Sequence, residues 1–180
     1  MTSLFIWSQI LAGIAMLIYI IAMQIRSNKM LRILMFVGGV INGTHFLLLG
    51  VPQATIIEYV TGSRWIVSIF THRNSIKLFF IVSIMGIGLI HADGWVSALP
   101  VIGGVLGTLA AFTPNDRNMR VYLIIALILW VVHNILVFSP IAIASSLFFL
   151  ISMMIGYERF YHHNHVHIYP YQPVHFNTKK

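Results

Sequence analysis

The sequence predicts an all-α membrane protein of seven transmembrane helices, arranged as two parallel three-helix bundles joined by one linker helix (3+1+3). Three observations lead to this prediction: an apolar share of 58% with only 8% charged residues, a division into apolar stretches, and an internal similarity between the two halves. A soluble domain carries about a quarter of charged residues, and a disordered chain has low hydrophobicity. Both classes are therefore excluded. The absence of cysteine also excludes a disulfide framework and a Cys-based zinc site.

The apolar residues fall into stretches close to the length of about 20 residues that a membrane-spanning helix needs. The seven stretches cover residues 4–24, 31–49, 54–70, 77–91, 95–113, 120–138 and 141–157. They are continuous rather than alternating, which favours helices over the strands of a membrane barrel. No Lys or Arg precedes Arg26, so the first stretch is predicted to be a membrane helix rather than a secretory signal.

The positive charges fall on one side of this plan. They lie after the first, third, fifth and seventh stretches, at Arg26, Lys29, Arg32, Arg73, Lys77, Arg117, Arg120, Arg159, Lys179 and Lys180. The turns around Pro52, Asp93 and Pro140 carry none. Since cytoplasmic loops collect Lys and Arg, we predict a multi-pass protein of the bacterial inner membrane with a periplasmic N-terminus and a cytoplasmic C-terminus. The net charge of +7 is then a topology signal rather than a nucleic-acid-binding surface, whose charges would cluster on one folded face.

The chain resembles itself when it is shifted by 88 residues. The shift aligns Trp7 with Trp95, Arg32 with Arg120, His45 with His133, Pro52 with Pro140, and Ala54 with Ala142. We interpret this as two copies of a three-helix unit, placed in the same orientation by the single helix between them. The predicted parts are a first bundle at 1–73, a linker helix at 74–94, a second bundle at 95–158 and a His-rich cytoplasmic tail at 159–180.

Three segments carry a resemblance to a known family: residues 45–50 read HFLLLG, residues 99–103 read LPVIG, and residues 130–134 read WVVHN. With Arg64, they resemble the YgjV family of bacterial inner-membrane proteins over about residues 5–160. The 3+1+3 plan is in turn similar to the SWEET and PQ-loop superfamily of small transporters. Pro100 is followed by Val101 rather than by the glutamine of a PQ loop, so the resemblance does not imply sugar transport, and it names no substrate.

Polar side chains at membrane depth are costly and usually point into the bundle, where they have a partner or a role. His45 and Glu58 lie equally far from the turn between the second and third stretches, which places both roughly 10 Å below it. They are predicted to face one another and to exchange a proton near neutral pH. His133 and Ser146 have the same spacing in the second half. The alternative is that each histidine only bonds a neighbouring helix.

The other candidate substrate-binding residues are Asn42, Arg64, Trp130 and Asn134. The two amides can hydrogen-bond hydroxyls or amides of a solute, and Trp130 occupies the repeat position of Asn42. Arg64 either extends to the inner surface or binds an anionic substrate. For Trp130 the alternative is packing or lipid contact.

The tail offers a weak metal site. Its closely spaced histidines are His162, His163, His165 and His167, and imidazole binds nickel, zinc or copper. No carboxylate or cysteine completes a defined site, so a disordered extension is the alternative.

These observations favour a small transporter that moves a small polar metabolite, alone or with a proton, by alternating access. The alternatives are a membrane scaffold or assembly protein without transport, and a divalent-metal carrier that uses the His-rich tail. An enzyme is not expected, because the sequence has neither an H-E-x-x-H motif nor paired carboxylates on one helix. The expected partner is the lipid bilayer, with no cofactor and no nucleic acid, and a homo-oligomer is left open.

Overall fold

The computed structural model describes residues 3–90 and 94–161, which form α-helices without strands. The helices are α1 (Ser3–Met23), α2 (Asn28–Leu48), α3 (Pro52–Phe70), α4 (Asn74–Ile90), α5 (Ala98–Phe112), α6 (Asp116–Leu136) and α7 (Pro140–Tyr161). A 3₁₀ turn, Trp95–Ser97, leads into α5. The prediction of an all-helical chain is confirmed for the described residues.

Five of the helical segments are long and apolar enough to cross a membrane: Ser3–Met23, Asn28–Leu48, Trp95–Phe112, Asp116–Leu136 and Ala142–Tyr161. A helix of 21 residues is about 32 Å long, which matches a hydrocarbon core of about 30 Å. The helix α4 is apolar but shorter, with 17 residues. The helix α3, which carries Glu58 and Arg64, is not among the five.

The outer surface of the bundle is rich in large apolar side chains. Exposed examples are Trp7, Leu17, Phe70, Phe79 and Leu89. Several polar and charged side chains are instead buried, which is the arrangement that a lipid solvent favours. They include Ser8, Arg32, His45, Arg64, Thr108 and Arg120.

Each helix packs against its neighbours in the chain, and two further contacts join the first half of the chain to the second. The helix α2 lies between α1 and α3, and α6 lies between α5 and α7, while α1 also contacts α7 and α3 contacts α5. The helix α4 packs on α5 and α3. Gly39 and Gly62 bring α2 and α3 together, because a Cβ atom on Gly39 would lie 2.9 Å from the Gly62 Cα.

The hydrophobic core is concentrated at one end of the bundle, where α1, α3 and α5 end and α2 and α6 begin. It includes Met23, Leu31, Trp65, Phe112 and Met119. We call the end formed by residues 23–32, 70–74, 112–120 and 158–161 the arginine end. The end formed by residues 48–52 and 136–140 is called the opposite end.

The two halves share local geometry at the 88-residue spacing. The helices α2 and α6 begin and end 88 residues apart, and the Ser27 and Asn115 side chains cap them by accepting a bond from the backbone N–H three residues later. At the opposite end both helices stop in a Schellman motif. The residue after each helix cap has a positive φ, 72° at Gly50 and 53° at Phe138.

This turn makes a prediction about stability. The left-handed conformation costs a residue with a Cβ about 1–2 kcal/mol, and Phe138 is 89% exposed, so its ring contributes little packing. We expect Phe138→Gly to raise the free energy of unfolding by about 0.5–1 kcal/mol, after the greater freedom of glycine in the unfolded chain is subtracted. Denaturant titration in detergent micelles measures this change.

Gly50 supplies the matched control. Its added Cβ would meet no atom within 4 Å, so Gly50→Ala tests the backbone conformation alone and should lower the free energy of unfolding by about 1 kcal/mol. A neutral Gly50→Ala, or a destabilising Phe138→Gly, would contradict the prediction.

Candidate functional site: a buried polar cluster

Arg64 is buried between α3 and α5. Its side chain is 8% exposed, and its Nη1 donates hydrogen bonds to the Gly104 carbonyl oxygen at 2.8 Å and to the Thr108 Oγ1 at 3.0 Å. Thr108 Oγ1 in turn donates to the same carbonyl at 3.0 Å. The guanidinium therefore stays within the helix packing and does not extend to the inner surface.

The other edge of this guanidinium has no hydrogen-bond partner among the described residues. Arg64 Nε is buried and unpartnered, and both hydrogen bonds of the side chain come from Nη1. Nη2 lies against the backbone of Gly107, because a Cβ there would be only 2.6 Å away. The Nε–H and Nη2–H groups, which point in the same direction and form a fork, are thus left free.

Glu58, one and a half turns earlier on α3, belongs to the same group. Its carboxylate interacts with the amide of Asn42 on α2 and electrostatically with Arg64 and Tyr19. Glu58 and Arg64 do not form a direct ion pair within the part of the chain that we describe. The polar cluster, defined as Tyr19, Asn42, Glu58, Arg64 and Thr108, therefore holds one acidic and one basic side chain that do not pair directly.

The expected pair of His45 and Glu58 is not formed. His45 Nδ1 lies 2.8 Å from the carbonyl oxygen of Ser8, so this histidine joins α2 to α1. Equal depth did not settle the pairing, because the rotation of α2 about its axis also decides which side chain meets α3. Asn42, one turn from His45, is the residue that meets Glu58.

His133 repeats the contact of His45 in the second half. Its Nδ1 lies 3.3 Å from the Val96 carbonyl oxygen, and both ends of this contact are 88 residues from those of the first. The expected pairing of His133 with Ser146 is also replaced. Ser146 Oγ accepts a bond from Asn134 Nδ2 at 2.7 Å, which joins α6 to α7.

Trp130 makes its described contacts with residues outside the polar cluster. The indole is partly exposed, meets His133 edge-on at 5.9 Å between ring centroids and lies beside Gly103. Of the eight residues predicted from the sequence, the structure brings together Asn42, Glu58 and Arg64. His45, His133, Asn134 and Ser146 make helix-to-helix contacts instead.

Arg32 was counted with the loop charges, and the structure corrects this. Its side chain is 4% exposed. Nη1 donates to the Ser68 carbonyl oxygen at 2.8 Å, Nη2 to the Thr113 carbonyl oxygen at 2.7 Å and Nε to Asn28 Oδ1 at 2.6 Å. This arginine ties α2 to α3 and to the end of α5.

Arg120 does the same from the other half. It is fully buried, with Nε on Asp116 Oδ2 at 3.1 Å, Nη1 on the Met23 carbonyl oxygen at 2.9 Å and Nη2 on the Ile25 carbonyl oxygen. Ile25 and Thr113, which accept the two Nη2 bonds, are themselves 88 residues apart. We call these two sets of contacts the arginine clamps.

Sequence reasoning missed two members of the polar cluster. Tyr19 and Thr108 stand in apolar helices where their residue types are common. Only the electrostatic interaction of Tyr19 with Glu58 and Arg64, and the hydrogen bond that Thr108 accepts from Arg64, distinguish them. The proposed metal ligands His162, His163, His165 and His167 lie outside the described residues. Within residues 3–90 and 94–161, no three metal-ligating side chains cluster.

Comparison with known proteins agrees with this membrane architecture. The family model Imp-YgjV, bacterial inner membrane protein, matches residues 6–164. The inner membrane protein YgjV of Escherichia coli (strain K12) is 31% identical over 121 residues, which cover 67% of this chain and 66% of that protein. The chain thus spans slightly less than two thirds of the length of that relative, and no solved structure matches it. With a family model that extends over most of its length, the chain belongs to the YgjV family of bacterial inner membrane proteins.

Proposed function

We propose that this protein is a small carrier that moves a small polar metabolite across the inner membrane by alternating access. Its moving parts are two three-helix units, α1–α3 and α5–α7, joined by α4 in the 3+1+3 plan that is similar to SWEET and PQ-loop transporters. The observation that carries the proposal is the reciprocity of the arginine clamps. Arg32 of the first unit bonds the Thr113 carbonyl of the second, and Arg120 bonds the Ile25 carbonyl of the first.

Reciprocal contacts of this kind support an approximate two-fold relation between the units. The histidine contacts and the helix ends recur at the same spacing inside each unit. Transporters built from parallel repeats place the substrate at the interface between the repeats and move one unit against the other. The contact between Arg64 of α3 and Gly104 and Thr108 of α5 supports such a location for the polar cluster.

The units are joined by side-chain hydrogen bonds toward the arginine end. Besides the clamps, Gln24 Nε2 donates to the Ser152 carbonyl oxygen at 2.6 Å, and Arg159 Nη2 donates to the Gln24 carbonyl oxygen at 2.8 Å. The excess of Lys and Arg assigns this end to the cytoplasm. The arrangement is what a carrier closed toward the cytoplasm requires, and the clamps must break when it opens inward.

The orientation can be tested directly, because the chain has no cysteine of its own. Lys29→Cys and Phe138→Cys introduce single thiols at exposed positions of the arginine end and the opposite end. In intact cells a membrane-impermeant maleimide should label the cysteine at 138, and should label that at 29 only after the inner membrane is permeabilised. Labelling at 29 in intact cells would reverse the proposed topology.

Breaking a clamp should open the arginine end. A reporter cysteine at Ser152, which is buried between the units, should react with maleimide about tenfold faster in inverted vesicles once Arg120→Gln is added. The factor corresponds to the loss of about 1.4 kcal/mol of charge-assisted hydrogen bonding. Arg26→Gln, at an exposed position in the α1–α2 loop that Arg120 binds, is the matched control and should leave the rate unchanged. Equal rates in all three backgrounds would contradict a closed cytoplasmic gate.

Transport itself is tested in proteoliposomes. The full chain should give saturable uptake of at least one compound from a broad panel of labelled small metabolites, measured with and without a pH gradient. A chain that is well folded in the vesicles and moves no member of the panel would instead favour the membrane scaffold, the alternative that the satisfied contacts of His45 and His133 support. Uptake of divalent metals that depends on residues 160–180 would favour the metal carrier.

A further inference from the structure

Three arginines are buried in this bundle, and they differ in how many of their side-chain nitrogens donate a hydrogen bond to the protein. In Arg32 and Arg120, Nε, Nη1 and Nη2 each donate a hydrogen bond. In Arg64 only Nη1 does so, and Nε is buried without a partner. The first two are saturated by the protein, whereas the third retains donors for another molecule.

A free guanidinium edge at membrane depth is costly. An unsatisfied buried donor costs about 1–3 kcal/mol and more when it carries charge, and the cost is greatest in surroundings of low polarity. The protein fixes the remainder of the group, because Nη1 is bonded to Gly104 and Thr108 on α5. The Nε/Nη2 fork is therefore held in place, and its two parallel N–H groups have no hydrogen-bond acceptor among the described residues.

The geometry of this fork selects its ligand. Two parallel N–H groups match the two coplanar oxygens of a carboxylate, which arginine binds through a pair of parallel hydrogen bonds. Lysine, as a point charge, cannot reproduce this arrangement. Arginine binds phosphate through the same pair of bonds, but a phosphate would bring more negative charge into the buried site than one guanidinium balances. The ligand of Arg64 should accordingly carry a carboxylate group.

Charge balance adds a second requirement. With both side chains ionised, Glu58 and Arg64 together are neutral, and they form no direct ion pair. A ligand with a carboxylate alone would leave the buried site with a net negative charge, which is costly in lipid surroundings. A ligand that also carries an ammonium group keeps the site neutral, because the ammonium can approach the Glu58 carboxylate.

We propose that the polar cluster binds a small zwitterion, with its carboxylate on the Nε/Nη2 fork of Arg64 and its ammonium group on the side of Glu58. This deepens the proposed carrier function and rests on it, since it names the class of solute carried. The backbone of Gly107 lies directly against Nη2, so a ligand on the fork must fit beside that backbone.

The experiment measures binding to the purified full chain in detergent by isothermal titration calorimetry. The probes are alanine, propionate, which lacks the ammonium group, and ethylamine, which lacks the carboxylate. We expect alanine to bind, and the other two to bind at least about tenfold more weakly, which corresponds to the loss of one charge-assisted contact. Propionate binding as tightly as alanine would show an anion site and overturn the zwitterion.

Two variants address Arg64. Arg64→Lys keeps the charge but removes the fork, and should weaken alanine binding at least about tenfold. Gly107→Ala places a Cβ 2.6 Å from Nη2 and should weaken binding without changing any polar side chain. Gly86→Ala is the matched control, because its Cβ would meet nothing within 4 Å, and it should bind alanine as the unaltered chain does. If Arg64→Lys does not fold, the comparison of alanine binding between Gly107→Ala and Gly86→Ala still tests the proposal. Unchanged alanine binding in Gly107→Ala overturns it.

The outcome is separable from that of the carrier proposal. Alanine binding that is lost in Gly107→Ala, in a chain that transports nothing, supports the zwitterion site and contradicts the carrier. Transport of another solute that Gly107→Ala leaves unchanged supports the carrier and contradicts the zwitterion site.

Discussion

The structure depends on the need to satisfy guanidinium groups inside an apolar bundle. Burying a charge is costly unless its hydrogen bonds are supplied by the protein. Arg32 and Arg120 meet this requirement mainly with backbone carbonyls at helix ends and loops, including those of Thr113 and Ile25. Terminal carbonyls of α-helices have no partner within the helix. Each clamp therefore supplies hydrogen bonds to the arginine and to the carbonyls at a helix end at the same time. The hydrophobic core gathers around this arrangement at the same end.

Much of the fold could be predicted from the sequence, because it follows from composition and spacing. The positions of the helices follow from the apolar stretches, and the 88-residue shift that aligned Arg32 with Arg120 and His45 with His133 reappears in their hydrogen bonds. The side-chain partners could not be predicted in the same way. They depend on the rotation of each helix, which spacing along one chain does not determine.

The polar cluster illustrates this limit. Depth alone placed His45 opposite Glu58, but rotation of α2 gives that position to Asn42. The burial of Arg32 was hidden for a related reason, since an arginine in the first turns of a helix and one in a loop look alike in the sequence. Tyr19 and Thr108 carried no signal of their own, because hydroxyl groups are common in apolar helices, where they bond the backbone.

The two clamps are alike in position and differ in their acceptors. Asn28 accepts a hydrogen bond from Arg32. Asp116 stands at the corresponding position of the second half, and its carboxylate accepts hydrogen bonds from Arg120 and from the Tyr161 hydroxyl. A hydrogen bond between two charged groups is stronger than one to a neutral amide. Asp116 and Arg120 lie on the same helix, so this carboxylate fixes the guanidinium to α6, while every acceptor of Arg32 is neutral. Between the two halves, Arg120 donates to two carbonyl oxygens, those of Met23 and Ile25, whereas Arg32 donates to one, that of Thr113. The Arg120 clamp therefore joins the halves through more hydrogen bonds than the Arg32 clamp does.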